Sequence, residues 1–143
     1  MDLAVDSSIV LDFEAQDEKS ALLKVAQLLE GHPMVADFEK FWAAVWDRQC
    51  IQPPLLGNGI ALPHARTPAV HGIIFAIGRC RKAVPFGEPG EPVKLIFLYG
   101  TPPGQVAESL AAVAMLAKKL HRPEILAGLL EADSETEFRK WLA

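Results

Sequence analysis

The chain lacks the marks of a disulfide framework, a zinc site or a membrane span. It has only two cysteines, Cys50 and Cys80, with no CxxC pair, and its four histidines do not fall at zinc-ligand spacing. No structural metal or cofactor is therefore expected, and free thiols suit a reducing compartment. The N-terminus, Met1-Asp2-Leu3-Ala4-Val5-Asp6, lacks the basic start and apolar stretch of a secretory signal. The longest apolar runs, Gly72 to Gly78 and Val93 to Tyr99, are too short to cross a bilayer. A basic excess is also missing. The formal net charge of −4 offers no counterion-releasing face for nucleic acid. These absences lead to the expectation of a cytoplasmic protein with no nucleic-acid partner and no direct membrane insertion. The 143 residues suffice for one domain, residues 1–143, with a core that needs no covalent staple.

What is present is a strand-rich middle between helical ends. Ile9 to Phe13 reads as a first strand. Asp17 is placed to cap a helix through Glu30, which Gly31 ends and Pro33 follows. A second helix is expected over Asp37 to Gln49, with Phe38, Phe41, Trp42, Val45 and Trp46 on one face. Gln52 to Gly59 reads as a loop, and Ile60 to Leu62 as a short strand stopping at Pro63. Ile73 to Ile77 and Lys94 to Tyr99 are near-continuous apolar runs, as expected of strands covered on both faces. Val84 to Gly90, between them, suggests a short edge strand and a turn. Three helices should close the chain: Gln105 to Leu120, one opened by Pro123 at its first position, and one capped by a Ser134–Glu137 box. This order argues for a sheet sandwiched by helices.

Chemistry concentrates in Gly57-Asn58-Gly59-Ile60-Ala61-Leu62-Pro63-His64-Ala65-Arg66. The two glycines permit a tight backbone path. Proline fixes its own φ and restricts Leu62, so His64 is presented from a stiff support. A nucleophile needs such stiffness, because small misplacements cost large rate factors. Neutral imidazole is nucleophilic near neutral pH, and a hydrogen bond at one ring nitrogen can hold the tautomer while the other attacks. Taken alone, a histidine after proline is more often a turn residue.

The string GNGIALPHA, Gly57 to Ala65, resembles the active-site signature of the mannitol/fructose-type enzyme IIA domains of the phosphoenolpyruvate-dependent phosphotransferase system, a family with a nitrogen-regulatory branch. The likeness runs through the N-terminal strand and helix, the Arg48 region, the PVKLIFLYGTP strand and the helical tail. It implies a three-layer α/β/α sandwich around a mixed sheet. It also implies that His64 is the phosphoryl acceptor, loaded by a small histidine phosphocarrier protein (HPr or a nitrogen-branch homologue). In the sugar branch the phosphate would pass on to a cysteine of an enzyme IIB domain.

The chain departs from the family pattern at three places. Arg48 matches the arginine of an Arg-Glu pair, but Gln49 replaces the glutamate, and Pro53-Pro54 stands where a Ser-Thr step is usual. Arg48 has two readings: a guanidinium that neutralises phosphoryl charge, or a helix-end residue favoured by the macrodipole. Ser109 occupies the place of a second histidine, and a hydroxyl there can offer one hydrogen bond but no charge. Arg66 is placed to meet phosphate or an acidic partner surface. The other histidines read as structural: His121 at a helix end, His32 in a turn, His71 before a strand. Cys80, between Arg79 and Arg81, reads as an ordinary buried or edge thiol, although flanking arginines can lower a thiol pKa. Three functions remain open: a phosphoryl carrier feeding an enzyme IIB, a regulatory module switched by phosphorylation against a transporter, kinase or other target, and a phosphorylation-dead interaction domain.

Overall fold

The computed structural model describes residues 2–143. A short helix, α1 (Leu3–Asp6), leads into β1 (Ser8–Phe13), followed by α2 (Glu18–Ala26), α3 (Phe38–Ile51), β2 (Leu55–Gly57), β3 (Ile60–Ala61), β4 (His64–Arg66), β5 (Ile74–Phe86), β6 (Glu91–Thr101), α4 (Val106–Leu120), α5 (Pro123–Glu131) and α6 (Glu135–Leu142). The six strands form one mixed sheet in the order β1-β5-β6-β3-β2, with β4 also paired to β6. β1 runs parallel to β5, β5 antiparallel to β6, and β3 and β4 parallel to β6.

Both faces of the sheet are covered. Ala76, Ile96 and Leu98 pack with Leu22, Val25, Phe41 and Val45 of α2 and α3. Their alternates Phe75, Ile77, Leu95, Phe97 and Tyr99 pack with Leu116, Leu120, Ile125, Leu129 and Phe138 of α4, α5 and α6. Since successive strand residues point to opposite faces, burial of both sets makes β5 and β6 the continuous apolar runs seen in the sequence. The architecture is the expected mixed sheet between two helical layers.

Several boundaries move. α2 ends at Ala26 and continues to Leu29 as a 3-10 turn, with Gly31 at φ +82° behind it. The Val84 to Gly90 segment is no edge strand. β5 runs unbroken to Phe86 and lies between β1 and β6. Its exposed Arg81-Lys82-Ala83 stretch looks like a strand end by hydropathy, but the hairpin resumes beyond a register shift, from Val84 opposite Val93 to Phe86 opposite Glu91. The supposed loop before Asn58 holds β2, and Asn58-Gly59, both at positive φ, turns it into β3. That dipeptide is a type I′ hairpin signal. At α6, the Ser134 hydroxyl accepts from the Glu137 amide at 3.1 Å, but the Glu137 carboxylate accepts from the Asp133 amide, so the capping box closes one residue early.

Candidate active site

The site is built on an interruption in the ladder along β6. β3 pairs with Leu95 and Ile96, and β4 with Tyr99, Gly100 and Thr101. Between them Leu62 turns its amide to the Pro54 carbonyl, and Pro63, which has no N–H, offers only its carbonyl, which accepts from Tyr99 N at 3.0 Å. β3 and β4 are thus two halves of one strand broken at Leu62-Pro63. His64 opens the second half rather than sitting in a turn after the first.

The break supplies the partner of the imidazole. His64 Nδ1 lies 2.9 Å from the Leu62 carbonyl. A carbonyl can only accept, so Nδ1 carries the proton and Nε2 keeps its lone pair. Burial lowers the His64 pKa below 6.5; the Leu62 hydrogen bond opposes this, and the charges of Arg48 and Arg66 reinforce it. The ring is therefore a neutral Nε2 base at neutral pH. One face of the imidazole stacks on the Tyr99 ring, centroids 4.9 Å apart and 10° from parallel.

His64 lines a cavity of about 370 Å³ with Arg48 of α3, Arg66 of β4, Thr101 of β6, and Ser109 and Leu110 of α4. Two guanidiniums contribute to its wall and no carboxylate does, among the described residues. α4 starts at the same wall without a side-chain cap, so the positive end of its dipole adds to the field. A larger cavity of about 540 Å³ beside Glu14, Asp17, Lys24 and Lys82 mixes both signs of charge and has no histidine or cysteine in its lining.

The structure brings together His64, Arg48, Arg66 and Ser109. Arg48 sits at the helix end, where one guanidinium N–H donates to the Gln52 carbonyl at 2.8 Å, and its side chain also lines the cavity. Ser109 is buried, and its hydroxyl donates to the Val106 carbonyl at 2.9 Å, so its proton is turned into its own helix. Gln49 faces away from the cavity and donates to Glu18, whose other carboxylate oxygen accepts from the Gly87 amide. It ties α3 to α2 and the β5–β6 hairpin. The other candidates lie elsewhere. His32 Nδ1 accepts from the Met34 amide in its turn, and His121 terminates α4. Burial pushes the Cys80 thiol up to about 11, which leaves it protonated and unreactive. The neighbouring arginine is the unforeseen element. Arg79 is buried and forks onto Asp12 at 2.9 and 3.0 Å while also donating to the Leu129 carbonyl, so it locks β1, β5 and α5 instead of acidifying Cys80. Tyr99 was also missed. It sits in an apolar run, and only the strand register shows it beneath His64.

A model of the family described as "Phosphoenolpyruvate-dependent sugar phosphotransferase system, EIIA 2" matches residues 3–143. The fructose-specific EIIABC component of Bacillus subtilis (strain 168) is 29% identical over 135 residues, which is 94% of this chain but 21% of that protein. The chain therefore spans about a fifth of that relative's length. The crystal structure of nitrogen regulatory protein IIA-Ntr from Neisseria meningitidis superposes with a TM-score of 0.89 at 28% identity, covering 99% of each chain. The mannitol enzyme IIA from Escherichia coli, solved in complex with phosphorylated enzyme IIB, superposes with a TM-score of 0.81 at 21% identity over 94% of this chain and 93% of that one, a likeness of fold.

Proposed function

The chain belongs to the type 2 enzyme IIA family of the phosphoenolpyruvate-dependent phosphotransferase system, and from that premise we propose that His64 is its phosphoryl acceptor. The observation that carries the proposal is the half-buried His64 imidazole. Its Nδ1–H is held by Leu62, and its Nε2 is free in a cavity walled by two arginines. Nε2 attacks the phosphorus of a phosphohistidine on a small carrier protein. The donor's N–P bond breaks, its imidazole leaves neutral, and a new N–P bond forms on His64. The proton on His64 Nδ1 stays in place, and the positive charge that the ring gains is stabilised by the Leu62 carbonyl. Arg48 and Arg66 stabilise the phosphoryl oxygens, the main task in phosphoryl transfer. Delivery to a cysteine of an enzyme IIB reverses these steps: the thiolate attacks phosphorus and His64 departs as the neutral imidazole. We take residues 1–143 as one such domain.

A second destination for the phosphate is favoured by the 0.89 superposition, at 28% identity, on a nitrogen regulatory protein. In this reading the phosphoryl dianion on His64 switches association with a regulatory target. It would do so by adding charge beside the exposed Leu110.

The test is incubation with phosphoenolpyruvate, enzyme I and the histidine phosphocarrier protein. The expected product carries one acid-labile, alkali-stable phosphate, absent in His64→Ala. An unlabelled wild type rejects phosphorylation altogether; label surviving in His64→Ala rejects the site. Subsequent transfer to an enzyme IIB cysteine separates the carrier reading from the regulatory one.

A further inference from the structure

We propose that Tyr99 belongs to the phosphoryl site: its ring is the platform that sets the plane of the His64 imidazole, and its hydroxyl donates a hydrogen bond to the phosphoryl group on Nε2. The inference rests on the proposed role of His64 and adds a residue to it.

The platform follows from register. Tyr99 lies opposite His64 across the β4–β6 pair and opposite Phe75 across the β5–β6 pair, and residues directly opposite share a face of the sheet. The three rings accordingly form one stack. Phe75 and Tyr99 are 5.1 Å apart at 23°, and Tyr99 and His64 are 4.9 Å apart at 10°. Phe75 is fully buried, so the stack is anchored in the core at one end and reaches the cavity at the other. The Leu62 carbonyl fixes rotation of the imidazole within its plane, and the Tyr99 ring fixes its tilt. Together they point Nε2 in one direction, which is the stiffness a nucleophile needs.

The hydroxyl is the second part. Tyr99 is only 4% exposed, yet no protein acceptor bonds its hydroxyl among the described residues, and that oxygen is not among the sealed, unpartnered polar atoms. The oxygen thus keeps some access to solvent, and Tyr99 lines the cavity with Arg48 and Arg66. A hydroxyl at the mouth of a buried ring, with no protein acceptor, suits an acceptor that arrives with the ligand. Burial raises the phenol pKa above 10, which keeps it a donor at neutral pH. Ser109 supplies no such proton, because it is committed to the Val106 carbonyl.

The experiment compares wild type, Tyr99→Phe and Tyr99→Leu. Single-turnover transfer from the phosphorylated carrier protein is read together with the imidazole proton shifts of His64 and the 31P shift of the loaded protein. Tyr99→Phe keeps the stack. Its His64 shifts should match wild type, while transfer slows by about tenfold, as for the loss of one hydrogen bond to a charged group, and the 31P resonance moves. Tyr99→Leu removes the ring, so the upfield ring-current shift of the His64 protons should vanish and transfer should slow further. A wild-type rate and 31P shift in Tyr99→Phe overturn the hydroxyl's part. Unshifted His64 protons in the wild type overturn the platform, and that measurement needs no variant to fold. An unlabelled wild type overturns the His64 reading and this inference together; a labelled wild type with an indifferent Tyr99→Phe overturns the hydroxyl's part alone.

Discussion

Burial, opposed by the Leu62 carbonyl and assisted by Arg48 and Arg66, holds the His64 pKa below 6.5. The sign follows directly. The ring is neutral above 6.5 and gains a proton only as pH falls through the lowered value, so the acceptor is lost on the acid side alone. Phosphoryl acceptance should be flat above pH 6.5 and decline below it. Arg48→Ala or Arg66→Ala should raise the midpoint toward 6.5 by removing a repelling charge, with burial retaining part of the depression. NMR titration of the imidazole checks both. The same linkage acts on folding. The unfolded chain binds the proton first, so this contribution to stability is fully present above 6.5 and is lost as pH falls through the folded value. At this scale the sequence was informative about identity: Pro63-His64 and the glycines before it mark a presented histidine. It was silent on Tyr99, which looks like any other residue of an apolar strand.

Between elements, the α5–α6 contact is set by Gly128. A Cβ there would strike the Trp141 indole at its ring fusion rather than at a movable tip. Two effects of Gly128→Ala compete. Alanine favours the α5 helix by about 1 kcal/mol, whereas overpacking against a ring costs about 1–3 kcal/mol. The clash should win, and urea unfolding should show a net loss of about 1 kcal/mol, within a span of roughly 0–2 kcal/mol. Helix starts were legible because Asp17, Asp37 and Ser134 cap through their own side chains. The far half of β5 was not. Its pairing with β6 is made by backbone groups, which the exposed Arg81 and Lys82 conceal in any reading of hydropathy.

Across the whole molecule, the site lies where the edge strand β4 meets both helical layers, with α3 contributing Arg48 and α4 contributing Leu110. Leu110 is 57% exposed and lines the cavity, an apolar rim that α4 presents beside His64. A carrier protein that reaches Nε2 must pass this rim. Leu110→Glu should raise KM for the phosphorylated carrier about tenfold, the loss of roughly 1.4 kcal/mol of docking energy. Thermal unfolding should stay near wild type, because an exposed side chain contributes little to the fold. Steady-state transfer kinetics with a melting curve check the pair of outcomes.

The sequence by itself determined the layer order, because two apolar runs buried on both faces between helical ends admit few other solutions. It also pointed to the candidate nucleophile, through the likeness of the Gly57 to Ala65 string to the family signature, while proline rigidity and the glycine turn, which act through adjacent residues, account for how stiffly that histidine is presented. Only the tertiary structure decided the company that nucleophile keeps. Arg48, Tyr99 and Ser109 reach His64 from three elements distant in the chain. The use of each polar group, with Ser109 turned inward, Gln49 turned to Glu18 and Arg79 spent on Asp12, depends on which acceptor folding places nearest. Local stiffness is written in neighbouring residues; a charged cavity is a long-range coincidence that only packing creates.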